Sequence, residues 1–175
     1  FQLDMKIYDC FMFFDEEMLL DLRFNIMDKY VDKFIITEAT YTHNGQSKKL
    51  IFDIKKFKKF ENKITYLILN QEPHGIEIVN NHDDKNEKTY KYILNGYKRD
   101  NYQRNYLNRG IQDAEPNDII MISDIDEIPK LEDVNFNYIK NKLIFFQQKM
   151  FYYKFNLCLK EFIWVGTKTC RKKDL

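Results

Sequence analysis

One stretch limits the possible folds more than any other: Ile119–Pro129, Ile-Ile-Met-Ile-Ser-Asp-Ile-Asp-Glu-Ile-Pro. Four apolar residues, Ile119 to Ile122, read as a short buried strand. That strand runs directly into Asp124, Asp126 and Glu127, and Pro129 then ends regular pairing. A buried strand that opens into acids at its carboxyl end is how open α/β sheets build ligand sites. Two Asp separated by one residue can lean toward one point. There they suit a hard divalent cation, which prefers carboxylate and phosphate oxygens together. The same residues also suit an Asp-rich turn that caps a following helix through Asp124 or Asp126. The motif alone leaves both readings open.

The chain before this stretch fits an α/β sheet. Met5–Phe14 reads as a first strand. Asp15 is a suitable N-cap, and Met18, Leu19, Leu22, Ile26, Met27 and Tyr30 recur at helical spacing to about Asp32. Phe34–Thr37 is a second strand, so the opening is a parallel strand–helix–strand unit. Thr40–Lys49 is a polar loop turning at Gly45. Asp53–Asn62 reads as a short helix with Phe57 and Phe60 inward, and Ile64–Leu69 as a third strand. Gln71–Asn86 is a long loop of the kind often found as a lid. Glu87–Gln112 is the longest predicted helix, with Tyr90, Ile93, Leu94, Tyr97, Tyr106, Leu107 and Ile111 as its apolar face. On it Asp100, Arg104 and Asn108 share one side. They form either a solvated ion-pair face or a ligand site in which Arg104 forks onto a phosphate. After the acidic stretch, Leu131–Lys142 reads as a short helix, Leu143–Phe155 as strand, and Phe162–Val165 as a further short strand.

A chain of 175 residues has room for one domain with a real core. With 28 basic and 27 acidic residues, its net charge of +1 argues against a dedicated nucleic-acid binder. Cys10, Cys158 and Cys170 have no pairing pattern and read as free thiols. Without a Cys-x-x-Cys or a His pair, they give no zinc signature. The sequence has no apolar run of about 18 residues and no signal-peptide pattern. No transmembrane segment and a cytoplasmic location are therefore expected. His43, His74 and His82 read as surface residues. Trp164 and the aromatic band Phe151–Phe155 read as core, with Trp164 alternatively a platform for a sugar ring. Lys48 reads as solvated or as a phosphate contact.

Several segments, in order, resemble glycosyltransferase family 17. They are Ile7-Tyr8-Asp9-Cys10-Phe11 through Phe14, Leu19-Leu20, Val31-Asp32, Phe34–Glu38, Thr40-x-Thr42 and Gly45. They continue with Arg104-Asn105, the box Ser123-Asp124-Ile125-Asp126-Glu127-Ile128-Pro129, and Trp164-x-Gly166-Thr167. The resemblance implies one GT-A-type nucleotide-diphospho-sugar transferase domain over residues 1–175, with a mixed, mainly parallel sheet flanked by helices. Because the chain stops soon after Trp-x-Gly-Thr, a C-terminally short domain is expected. The resemblance further implies an inverting transfer, with N-acetylglucosamine moving from a UDP-sugar to an oligosaccharide or glycoconjugate acceptor. It places Glu38, Thr40, Lys48, Arg104, Ser123, Asp124, Ile125, Asp126 and Trp164 near the nucleotide-sugar. Asp124 and Asp126 would serve Mn²⁺ or Mg²⁺. Glu127 and Glu161 are the candidates for the base that inversion needs. Two other functions stay open. One is a haloacid-dehalogenase-type phosphatase using Asp124 and Asp126 as nucleophile and acid/base. The other is an inactive domain that binds nucleotide-sugar without turnover.

Overall fold

A computed structural model describes residues 5–154 and 156–175. Six strands form one mixed sheet in the order β3-β2-β1-β4-β6-β5. They are β1 (Ile7–Phe13), β2 (Lys33–Ala39), β3 (Ile64–Leu69), β4 (Ile119–Ser123), β5 (Leu143–Phe151) and β6 (Cys158–Arg171). β1 pairs in parallel with both β2 and β4, and β2 with β3. β6 runs antiparallel to β4 and to β5. Successive connections leave β1 toward β2 and later return on its other side to β4, so the strand order reverses between β1 and β4. Ligand crevices of open α/β sheets form outside the strand ends at such a reversal.

Helix α1 (Glu17–Met27) crosses from β1 to β2. Its buried face is Leu20, Arg23, Phe24 and Met27, while Met18, Leu22 and Ile26 are exposed. The apolar spacing in the sequence therefore found Met27, Leu19 and Tyr30, which pack on the core, but placed Met18, Leu22 and Ile26 inward and missed Leu20, Arg23 and Phe24. Phe24 decides the orientation, seated against Phe34, Phe57 and Phe60 at 4.8–5.2 Å between ring centroids. Asp15 does not cap the helix. Glu16 precedes it and its carboxylate accepts from the backbone N–H of Phe14 and Asp15.

Helix α2 (Lys85–Tyr106) opens on a capping box made by Asp84 and Glu87. A 3₁₀ turn (Leu107–Ile111) follows and packs Leu107 and Ile111 on Tyr8, Cys10, Ile35 and Ile120. The predicted apolar face fails along the first four turns of α2. Asn95, Arg99 and Gln103 are buried, and Tyr90, Ile93 and Tyr97 are exposed. The inward polar groups satisfy backbone of neighbouring loops and of β2. Asn95 bonds both the N–H and the carbonyl of Glu77, Arg99 donates to the His43 carbonyl, and Gln103 donates to the Thr37 carbonyl.

Leu131–Lys142 is not a helix. Only Phe136–Tyr138 makes a 3₁₀ turn, closed by the Asn135 side chain on the Asn137 N–H. Residues 54–63 form two merged 3₁₀ turns, with Phe57 and Phe60 inward as expected. β6 is far longer than the predicted Phe162–Val165. From Cys158 to Val165 it pairs only with β5, so this distal ribbon has no sheet behind it. Phe151, Tyr152 and Tyr153 are exposed there for that reason, not buried in a core; Phe155 lies outside the described residues. Cys10, Cys158 and Cys170 are free thiols. Among the described residues no helix is long and apolar enough to cross a membrane.

Burial sets an alkaline limit on this fold. Burial and the nearby carboxylates of Asp113, Asp118 and Asp32 push the Tyr8 phenol up to about 12. Burial, then Glu72, does the same to Tyr41, also to about 12. Burial and Glu38 raise Tyr66 as well. The unfolded chain releases phenolic protons near pH 10, whereas the folded chain still holds them. Stability from these groups is complete below about pH 10 and falls as pH rises toward about 12. Urea midpoints measured across that range are expected to drop steadily; a flat profile would contradict the burial of these phenols.

Candidate active site

A cavity of about 590 Å³ opens at the carboxyl ends of β1, β2 and β4, at the reversal of strand order. Met12 and Phe13 of β1, Ala39 at the end of β2, and Tyr41 and Thr42 after it form one wall. Asp124, Ile125 and Asp126, which follow β4, line the cavity as well. The volume falls in the range of small-molecule and cofactor pockets.

The acidic loop is held by its backbone. Arg23 is fully buried and makes a two-point contact with Asp9, at 2.8 Å from Nε and 2.6 Å from Nη2. Its Nη1 donates to the carbonyls of Asp124, Ile125 and Glu127 at 2.9–3.1 Å. One guanidinium thus ties strand β1 to three carbonyls of the loop. Both side-chain oxygens of Glu127 are also engaged. Oε2 accepts from the Asp124 N–H at 2.9 Å and Oε1 from Trp164 Nε1 at 2.6 Å. On the other flank, Ser123 Oγ lies 2.8 Å from Thr167 Oγ1, which itself donates to the Glu127 carbonyl. Thr167 is reachable because residue 166 is glycine. A Cβ there would fall 1.6 Å from Gln148 Oε1, the acceptor for the Thr167 N–H.

With the backbone fixed, the two Asp side chains differ. Asp124 is half-exposed and its Oδ1 accepts from Arg104 at 2.9 Å. Arg104 also reaches Asp100 at 3.5 Å. Asp126 is exposed, and among the described residues its carboxylate accepts no hydrogen bond. No cluster of three His, Cys, Asp or Glu exists among the described residues. A cation here would therefore draw on Asp124 and Asp126 and complete its shell from ligand oxygens and water. That donor set fits Mg²⁺-like ions, which bind through one or two carboxylates plus substrate phosphates.

The other predicted site residues divide sharply. Asp124, Ile125 and Asp126 line the cavity and Arg104 touches Asp124. Glu38 is fully buried, bonded to Lys48, to the N–H groups of Ile51 and Phe52, and to the Tyr66 hydroxyl. Lys48 is correspondingly committed to Glu38, so the pair staples a loop and has no free group for a phosphate. Thr40 is held by backbone bonds to Leu69 and Lys48 and is off the cavity wall. Ser123 is buried and bonded to Thr167. Trp164 is partly exposed, yet its N–H is used on Glu127. Neither base candidate is placed for that role: Glu127 has both oxygens occupied, and Glu161 sits on the exposed ribbon, away from the cavity lining. The sequence reading missed Arg23 and Asp9. Their signals were a lone Arg on the Leu20–Phe24–Met27 helix face and a lone Asp among apolar strand residues. His43 is exposed, as read from the sequence, and also borders the cavity.

Comparison with known proteins adds the family. The profile described as glycosyltransferase family 17 matches residues 2–173. The chain belongs to glycosyltransferase family 17. A human protein named beta-1,4-mannosyl-glycoprotein 4-beta-N-acetylglucosaminyltransferase is 28% identical over 126 residues, 67% of this chain and 21% of the relative. Its rat counterpart is 28% identical over the same length, covering 20% of that protein. This family 17 chain thus spans about one fifth of the length of these relatives. No solved structure matches it. Membership of this glycosyltransferase family is what the sequence resemblance pointed to. It also displaces the phosphatase reading.

Proposed function

We propose that this chain is a GT-A-type, metal-dependent inverting transferase that moves N-acetylglucosamine from a UDP-sugar to a β-1,4-mannosyl glycan. The carrying observation is the pair Asp124 and Asp126, held rigidly at the end of β4 beside a cavity at the strand-order reversal. The transferred sugar and the acceptor follow the printed names of the relatives, and the UDP carrier follows the family resemblance. When bound, Mn²⁺ or Mg²⁺ would supply positive charge against the diphosphate that leaves the sugar. Asp124 and Asp126 would hold that ion, Arg23 and Glu127 keep their loop from moving, and Arg104 places a cation beside the same point. The apolar wall from Met12 to Phe14 and Tyr41 excludes water from the buried side.

Titration calorimetry with UDP and UDP-N-acetylglucosamine tests the reading, run with Mn²⁺ and then with chelator. Binding with metal that disappears with chelator is expected, together with UDP release when a β-1,4-mannosyl oligosaccharide is added. Metal-dependent binding without release would make the chain a nucleotide-sugar-binding domain. Absence of binding in both conditions would refute the proposal.

A further inference from the structure

Helix α2 presents the reverse of an ordinary amphipathic surface. Its polar residues Asn95, Arg99 and Gln103 face the protein, and Tyr90, Ile93 and Tyr97 face outward at 55–66% exposure. The outward stripe does not end in solvent. At steps of three and four residues it continues through Asp100 to Arg104, which touches Asp124. A second groove of about 420 Å³ follows this stripe, between Ile93 and Tyr97 on the helix and His43 on the opposing loop. It shares His43, Asp100 and Asp124 with the larger cavity at the strand ends. Gly96 helps keep it open: a Cβ there meets only the His43 carbonyl oxygen, at 3.9 Å.

From this continuity we infer that the α2 groove is the acceptor subsite, holding one sugar residue of the glycan with its ring against Tyr97. The inference rests on the transferase reading above. A sugar ring has an apolar C–H face and an edge of hydroxyls. Tyr97 offers a flat apolar surface to the first. Asp100 and His43, 3.8 Å apart, offer polar groups to the second. The groove's guanidinium, Arg104, is already engaged by Asp124 and Asp100. A neutral ligand therefore suits the groove better than a second phosphate. Transfer also requires two substrates to meet at one point, and the two cavities meet at Asp100 and Asp124.

Saturation-transfer NMR with a β-1,4-mannosyl oligosaccharide tests this, with Mg²⁺ and with and without UDP. Wild type and Tyr97→Phe are expected to bind the sugar alike, since both keep the ring. Tyr97→Ala, and Gly96→Leu, which fills the groove, are expected to weaken it by about tenfold, the scale of one aromatic contact. UDP affinity, measured in parallel, should be the same in all four proteins, which also shows that the variants fold. Equal sugar binding in wild type and Tyr97→Ala, or no sugar binding in wild type, would overturn the subsite while leaving the donor site intact. Weaker UDP binding in Tyr97→Ala would overturn it by moving Tyr97 into the donor site. Absence of metal-dependent UDP binding in wild type would instead strike the transferase reading itself.

Discussion

Arg23→Ala is expected to destabilise the protein by about 3–5 kcal/mol, the cost of stripping one partner from a buried ion pair. Both side chains, Arg23 and Asp9, are fully buried. The substitution leaves the Asp9 carboxylate in the interior without a counter-charge. It also removes the donor for the carbonyls of Asp124, Ile125 and Glu127, and the guanidinium's contact with the Phe11 ring at 4.7 Å. Urea unfolding reads the loss as a lower midpoint. A double variant separates two roles. Asp9→Leu with Arg23→Met removes both charges and keeps much of the volume, so much of the stability should return. The three carbonyls still lack their donor, so the loop carrying Asp124 and Asp126 stays loose. The double variant is therefore expected to fold while binding UDP at least about tenfold more weakly, as when groups that orient metal ligands are lost. If it binds UDP like wild type, the guanidinium only balances Asp9 and does not position the loop.

This clamp also shows what the sequence could and could not reveal. The strands were legible because β1, β2 and β4 are mostly apolar and bounded by polar turns, the pattern of a parallel sheet covered on both faces. The acids after β4 were legible as a cluster at a strand end, and the fold puts Asp124 and Asp126 on the cavity. Helices α1 and α2 were legible as helices, but much of their inward sides was not. In α1 a buried Arg sits between Leu20 and Phe24, and in α2 the buried side is Asn95, Arg99 and Gln103. Apolar periodicity assigns polar residues to solvent, and it misleads when those residues carry the hydrogen bonds of neighbouring loops. Glu38 and Lys48 failed for a related reason. A Glu and a Lys ten positions apart look like ligand contacts until the fold closes one upon the other. The exposed β5–β6 ribbon was illegible because its aromatic residues are those of a core strand, and only the pairing shows that no layer covers them.

Asp126→Ala is the opposite kind of substitution. Its carboxylate is exposed and, among the described residues, bonded to nothing, so stability should stay within about 0.5 kcal/mol of wild type. Function should not survive. With Asp126 gone, a cation keeps only Asp124, one of whose oxygens is already taken by Arg104. Metal-dependent UDP binding is expected to disappear from calorimetry, and sugar transfer to fall by about 10²–10³-fold, the scale of losing one group aimed at developing charge. Asp124→Ala should behave differently. It frees Arg104, which Asp100 alone then holds, at 3.5 Å. That guanidinium can meet the diphosphate directly, so a weak UDP binding that ignores chelator should remain while transfer is lost. The two aspartates are one residue apart in the motif, and the fold gives only one of them a basic neighbour. A chelator-insensitive residue of UDP binding in Asp124→Ala, with none in Asp126→Ala, would show that difference. Unaltered metal-dependent binding in Asp126→Ala would mean that the cation, and with it the donor diphosphate, lies elsewhere.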